Sequence, residues 1–277
     1  MSSTVPADPT AARRAAVLGS PISHSKSPQL HLAAYRALGL TNWTYDRIEC
    51  TADQLPALVG GFGPEWVGLS VTMPGKFAAL AVADERTERA ELVGSANTLV
   101  RTEHGWRADN TDVDGVVGAL ESASVPVSGS AVVLGAGGTA PAALTGLVHA
   151  GAESVTIAAR NAERAAELVD MARRLGVAAR HCPLDDRPLA AAVADASVVV
   201  STVPADVAVG HLDALRGAAA LLDVLYDPWP TPLAAAVAES GGTVVSGLQM
   251  LLHQAFAQVE QFTGRPAPRE EMAAALH

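Results

Sequence analysis

The hexapeptide Gly135-Ala136-Gly137-Gly138-Thr139-Ala140 lies between an apolar run over 131–134 and a helix-like segment that opens at Pro141. This is the G-x-G-x-x-G/A spacing, with Ala140 at the third small position. The first glycine makes a tight turn and the second lets the backbone approach a pyrophosphate. The small third residue lets helix and strand pack closely. Pro141 suits a first helical turn, and the free N–H groups of that turn attract phosphate. The implied chemistry is dinucleotide binding. The end of the next strand, Ser154–Ala158, selects the dinucleotide. An NAD site carries Asp or Glu about twenty residues on, against the ribose 2′-hydroxyl. Here Ala159-Arg160-Asn161 follow, with Arg164 one turn later and Glu163 already in the helix. A guanidinium forks onto phosphate oxygens and stacks on adenine, so NADP is favoured over NAD.

The other reactive side chains are ambiguous one at a time. Ser25 and Ser27 flank Lys26 in a loop. Ser27 before Pro28 would cap the next helix, which leaves Ser25 without a structural task. Two hydroxyls on one turn would otherwise suit a carboxylate. Lys76 follows Thr72-Met73-Pro74-Gly75 at a strand end, although a lone lysine is usually a solvated surface group. Asn97-Thr98 opens another strand, and Asp109-Asn110-Thr111-Asp112 precedes a helix that Asp109 or Thr111 could simply cap. His24 reads as a loop hydrogen-bonder and Asp185-Asp186 as a solvated turn. The histidines show no metal-binding spacing, so no metal is expected.

Alternating strand-like and helix-like segments must position these groups. Residues 1–12 read as a loose tail. Strands are expected over 15–18, 43–48 and 66–72. Helices are expected from about 29 to a Gly39 stop and over 53–59, Lys76–Val82 and 87–92. A hairpin joins 98–101 to 106–108 around His104-Gly105. The pattern restarts with strands at 131–134, Ser154–Ala158, 197–202, 221–225 and 243–245, and helices at 141–150 and 163–175. Leu248, Leu251, Leu252, Ala255, Val259 and Phe262 then recur as one stripe of a closing helix, with Met250, Gln254 and Gln261 beside it. Such alternation calls for parallel sheets covered by helices, in two α/β units.

Composition narrows the functional classes. Of 277 residues 49% are apolar and 17% charged, below the usual ~25% charged, which argues against disorder. Nineteen basic and 29 acidic residues give a net charge of −10. That sign opposes nucleic acid or an anionic membrane as partner. Cys50 and Cys182 form no CxxC pair, so neither a disulfide framework nor a thiolate zinc site is expected. The run behind Arg13-Arg14 stops at Gly19-Ser20-Pro21, too short for a signal core. The charge-free stretch 126–152 is interrupted by Ser128, Gly129, Ser130, Gly135, Gly137, Gly138, Thr139 and Pro141, and does not read as a membrane span. A soluble, cytoplasmic protein without nucleic acid as its main partner is expected.

In order, the motifs carry more than their parts. They are Gly19-x-Pro21…His24-Ser25-Lys26-Ser27-Pro28, Val71-Thr72-x-Pro74-x-Lys76, Ala96-Asn97-Thr98, Asp109-Asn110-Thr111-Asp112, Gly135-Ala136-Gly137-Gly138, Tyr226-x-x-x-x-Thr231-Pro232 and Gly247-Leu248-x-Met250-Leu251-x-x-Gln254. From about residue 15 onward this series resembles the shikimate dehydrogenase family. The resemblance implies NADP-dependent, reversible reduction of 3-dehydroshikimate to shikimate, a step toward chorismate and the aromatic amino acids. It implies an N-terminal α/β substrate domain (1–112), a Rossmann-type NADP domain (113–246) and a C-terminal helical segment (247–277) returning to the substrate domain. The site would lie in the cleft between domains, in a monomer or homodimer.

Carried over residue by residue, Ser25 and Ser27 match the carboxylate-binding serines, and Thr72, Asn97, Tyr226 and Gln254 the other substrate contacts. Lys76 and Asp112 match the catalytic pair. Gly135 to Ala140, Arg160, Asn161, Arg164, Thr202, Val203, Val224 and Gly247 match the cofactor side. Four positions depart from the family pattern: Ser70 for Asn, Asn161 for Thr, Ser201-Thr202-Val203-Pro204 for an Asn-x-Thr loop, and Val224 for Met. A relative reducing quinate or an amino-substituted ring shares the scaffold. A non-catalytic NADP sensor would not need both Lys76 and Asp112. A folate-type dehydrogenase would have no reason for the serine pair.

Overall fold

A computed structural model describes residues 12–276; the tail expected over 1–12 lies outside them apart from Ala12. The chain forms two compact units, divided between Thr111 and Asp112 and again between His253 and Gln254. The first takes residues up to Thr111 together with those from Gln254 on, and the second is Asp112–His253.

In the first unit, β1 (Arg13–Gly19), β2 (Trp43–Glu49) and β3 (Trp66–Val71) are parallel neighbours. Helices α1 (Ser27–Ala37) and α2 (Leu55–Gly60) connect them. Helix α3 (Lys76–Val82), the short strand β4 (Glu85–Arg86) and α4 (Glu88–Val93) lead into the hairpin β5 (Thr98–Thr102) and β6 (Gly105–Asp109). The sheet order is β2-β1-β3-β5-β6-β4. Strand β5 runs antiparallel to β3, so this sheet is mixed, not parallel throughout. Strand β6 is antiparallel to β5 in turn, because the two-residue turn between them can only return the chain antiparallel. Leu18, Leu69, Leu99, Trp66 and Trp106 pack beneath α2 and α3 on one face. On the other face the His31 ring stacks on Tyr45, with centroids 4.0 Å apart, and on Phe262 at 5.6 Å.

The second unit begins with α5 (Asp112–Ser122), β7 (Ser130–Leu134), α6 (Ala140–Ala150), β8 (Ser154–Ala158) and α7 (Ala162–Arg174). It continues through β9 (Ala178–Cys182), α8 (Asp186–Ala194), β10 (Ala196–Ser201), α9 (Ala205–Val209) and α10 (Leu212–Leu215). Strand β11 (Ala220–Asp223), α11 (Pro232–Glu239), β12 (Thr243–Ser246) and the start of α12 (Gly247–Thr263) complete it. All six strands are parallel, in the order β12-β11-β10-β7-β8-β9. Read from β9, this is the doubly wound 3-2-1-4-5-6 arrangement. Burial follows from it. Strands covered by helices on both faces must be apolar on both, and β7 and β10 are almost wholly buried. A last helix, α13 (Arg269–Ala274), packs on α1 in the first unit.

Two local expectations need correction. Ser27 lies inside α1; the cap position falls on Lys26, with no side-chain cap bond, so Ser27 is not the cap. Helix α8 opens at Asp186, which pairs with His211 Nδ1 at 3.2 Å, so Asp185-Asp186 is a helix start and not a free turn. Gly39 (φ +69°) does stop α1 as a left-handed C′ residue.

Candidate active site

In the second unit, the strand order reverses between β7 and β10. A crevice therefore opens beyond their carboxyl ends, the usual ligand position in such sheets. The loops that leave those two ends are the glycine loop and Thr202-Val203. Gly135 has φ +107°, and a Cβ on it would sit 2.6 Å from Thr202 Oγ1 and 2.8 Å from Val203 Cγ1. No other residue type fits there. Thr202 is fixed in turn by donating both N–H and Oγ1–H to Leu134 O, at 2.8 and 2.9 Å. A Cβ on Gly137 would meet nothing within 4 Å, so the backbone ahead of the eleven-residue α6 is open to a bulky anion. Ala140 is fully buried against the sheet.

Beyond β8, Arg160, Asn161 and Arg164 are all exposed, and no carboxylate occupies the strand end. Asn161 caps α7, its Oδ1 accepting from the Arg164 N–H at 2.9 Å. The donor set fits a dinucleotide carrying a 2′-phosphate: open N–H groups for pyrophosphate and two guanidinium groups for the extra anion. At the end of β11, Asp223 is buried. It accepts from Thr231 Oγ1 (2.7 Å) and from the Leu225 N–H (3.2 Å), which ties down the loop carrying Tyr226. Burial pushes the Asp223 carboxyl up, against the pull of those two bonds. Burial also pushes the half-buried Tyr226 phenol up, helped by the charge of Asp227, so it stays a hydrogen-bond donor. Val224 and Gly247 meet directly: a Cβ on Gly247 would collide with the Val224 carbonyl. Close approach of two backbones accounts for that glycine.

In the first unit, strand direction gathers the remaining residues at one edge. The carboxyl ends of β1 and β3 lie beside the amino end of β5, because Ser70 pairs with Thr98. From that edge leave the loops with Ser25 and Ser27, with Thr72, and with Asn97. Thr72 N–H donates to Leu18 O (2.9 Å), and Val71 N–H to Asn97 O (2.7 Å). Lys76 opens α3 with only 7% of its surface exposed, and its carbonyl accepts from Ala96 N–H at 3.0 Å. A solvated surface lysine would not be so enclosed. Asn97 Nδ2 donates to Gln254 Oε1 (3.2 Å) and Thr111 Oγ1 (3.0 Å), while its Oδ1 accepts from Thr111 N–H and Thr98 Oγ1, both at 2.7 Å. Asp112, also 7% exposed, opens α5 in the second unit. The His24 ring is exposed and makes no hydrogen bond among the described residues, contrary to its reading as a loop hydrogen-bonder.

Three family models match the chain: the shikimate dehydrogenase substrate binding domain over residues 17–99, the shikimate / quinate 5-dehydrogenase over 120–220, and the shikimate 5′-dehydrogenase C-terminal domain over 247–277. A shikimate dehydrogenase (NADP(+)) of Acidiphilium cryptum is 41% identical over 252 residues, 88% of either chain. The chain belongs to the shikimate dehydrogenase family. The crystal structure of Mycobacterium tuberculosis shikimate dehydrogenase is 68% identical, with a TM-score of 0.92 over 95% of this chain and 99% of that one. A Thermus thermophilus shikimate 5-dehydrogenase, solved in complex with NADP(H) and shikimate, is 29% identical with a TM-score of 0.81, over 95% and 98%.

For a shikimate dehydrogenase chain, the sequence motifs left out the buried Gln258 and did not disclose the role of Asp109. Gln258 stands one turn beyond Gln254 on α12. Its Oε1 accepts from Ser70 Oγ (2.6 Å), and its Nε2 donates to Asn97 O (3.1 Å) and Thr98 Oγ1 (2.9 Å). The i, i+4 spacing of the two glutamines was the available signal. Asp109 does not cap α5. It accepts from Arg89 (Nη2 at 2.5 Å), Thr87 Oγ1 (2.8 Å) and Gln261 Nε2 (2.7 Å). Burial alone would raise its carboxyl; Arg89 and those bonds outweigh it and hold the group below the usual carboxylate range.

Proposed function

We propose that the chain interconverts 3-dehydroshikimate and shikimate with NADP(H), using Lys76 as the proton donor and Asp112 as the carboxylate that orients it. The observation that carries this reading is Lys76 itself: a residue only 7% exposed, opening α3 just after the sheet end from which the loops with Ser25, Ser27, Thr72 and Asn97 leave, with Gln254 bonded to Asn97. NADPH, when bound by the glycine loop and by Arg160 and Arg164, supplies the hydride that reaches the ring C3 carbonyl. Negative charge then grows on that oxygen. A cationic Lys76 stabilises it and delivers the proton, which completes the hydroxyl. Asp112 acts by positioning. Ser25, Ser27 and the protonated Tyr226 phenol donate to the ring carboxylate or hydroxyls without opposing their charge. The enzyme works in the cytoplasm as a monomer or homodimer on a small-molecule substrate, with neither nucleic acid nor membrane as partner.

The test follows reduced-nicotinamide absorbance with shikimate and either NADP or NAD. Rapid reduction with NADP and little with NAD is the expected result. Equal rates with both would discard the 2′-phosphate role of Arg160 and Arg164. Silence with both, or a higher kcat/KM with quinate, would replace the substrate. In the same assay Lys76→Ala lowers kcat by about 10²–10⁴-fold, the range of a positioned acid–base group, with a much smaller change in KM for shikimate.

A further inference from the structure

The serine loop is held from one neighbouring strand by two residues that no motif includes. Tyr45 and Arg47 are two apart on β2, so they project from the same face of the strand. Tyr45 is buried, and its hydroxyl donates to Ser70 Oγ at 2.6 Å; the same hydroxyl hydrogen-bonds the Ser27 side chain. Arg47 reaches the other serine. Its Nε and Nη2 both donate to the Ser25 carbonyl, at 2.9 and 2.5 Å. Between the two, the Ser27 N–H donates to Ser25 Oγ at 3.3 Å, which leaves the Ser25 hydroxyl proton to point away from its own backbone.

We infer that Tyr45 and Arg47 are positioning residues for the substrate carboxylate, Tyr45 by orienting the Ser27 hydroxyl and Arg47 by fixing the Ser25 backbone while adding positive charge. The inference rests on the reading of Ser25 and Ser27 as carboxylate-binding serines. Tyr45 has one proton and two hydroxyl neighbours. Ser70 already has a firm acceptor in Gln258 Oε1, and therefore keeps its own bond whichever way Tyr45 turns. With an anion at Ser27, the serine gives its proton to the carboxylate and Tyr45 gives its own to Ser27. Hydrogen bonds in such a chain strengthen one another. Burial raises the Tyr45 phenol well above its ordinary value, so the proton is always present to give. The Arg47 guanidinium has no carboxylate within ion-pair distance among the described residues, so its charge is not cancelled.

The experiment is a double-mutant cycle on the intact enzyme. Tyr45→Phe keeps the stacked ring and removes only the oxygen. It should raise KM for shikimate about fivefold, the worth of one hydrogen bond, with kcat and KM for NADP within twofold. Combined with Ser27→Ala, it should add nothing further, because its effect passes through Ser27. With a ring alcohol lacking the carboxylate, kcat/KM should not respond to Tyr45→Phe, whereas a merely structural role would depress both substrates alike. Arg47→Ala should raise KM for shikimate similarly, and Arg47→Lys should recover at least half of the loss on a logarithmic scale. If Ser27→Ala raises KM while Tyr45→Phe does not, or if the two effects simply multiply, the role of Tyr45 is overturned. If Arg47→Ala leaves KM unchanged, that of Arg47 is overturned. If Ser27→Ala itself leaves KM unchanged, the serine reading fails, and the inference with it.

Discussion

His31 shows how one buried residue sets a pH limit on the fold. It lies on α1, fully buried between Tyr45 and Phe262, and its Nε2 lies 3.3 Å from Gln258 Oε1. Desolvation by burial lowers its pKa to about 3, against a smaller upward pull from Gln258. The unfolded chain binds a proton near pH 6.5, and the folded chain does not until far below. Stability carried by His31 is therefore fully present above about pH 6.5 and is lost as the pH falls toward 3, at up to ~1.4 kcal/mol per pH unit. Denaturant titrations of wild type and His31→Gln across pH 4–7 should show a steeper acid loss in the wild type. Equal slopes would mean that His31 is not buried as a neutral ring. Asp109 adds to the same direction at lower pH, since its depressed carboxyl stabilises the fold above its ordinary value and ceases to do so as it protonates.

Among the elements, the loop after β11 depends on a latch. Thr231 both caps α11, accepting from Ala234 N–H at 3.1 Å, and donates to the buried Asp223 at 2.7 Å. Thr231→Val keeps the shape and removes both bonds, leaving a buried carboxylate short of a donor. A loss of about 2–3 kcal/mol is expected, read as a lowered denaturation midpoint. The loop carrying Tyr226 should also become easier to cleave by protease. If the midpoint does not move, the latch is not what holds the loop.

The same comparison shows what a sequence can disclose. Strands β7, β8 and β10 were legible because parallel strands buried on both faces read as unbroken apolar runs. Helix α1 announced its end through Gly39. Strand β9 escaped because Ala178–Cys182 is an edge strand whose faces alternate with exposed Arg180 and Ala178, and it lacks β-branched residues. Helices α8 to α11 are short and alanine-rich, with little periodic signal. At the candidate site, the motif residues were legible because they recur in one order along the chain, each being an ordinary loop residue on its own. Tyr45 and Gln258 were not, since their partners lie 25 to 188 residues away and only the fold brings them together.

For the molecule as a whole, the two units differ in how the chain builds them. The second is one continuous stretch, Asp112–His253, with a doubly wound sheet that needs nothing from outside that stretch for its strand pairing. The first borrows its finishing pieces from Gln254 onward. Gln258 satisfies the Ser70, Thr98 and Asn97 groups, Gln261 reaches Asp109, and Phe262 completes the aromatic stack. Without that segment, four buried polar groups would each lose one hydrogen bond, at roughly 0.5–1.5 kcal/mol apiece, and one face of a ring would be uncovered. The half of the protein made first is thus finished last. On a ribosome stalled with residue 253 just emerged, the second unit should already resist protease while the first remains cleavable. Release of twenty-four further residues should then close the first in a single step. Equal resistance of both halves at the stall would mean that the N-terminal sheet is stable without its C-terminal completion. With the expected result, the order of synthesis and the order of folding would run opposite ways, because the first sheet is completed by residues of α12.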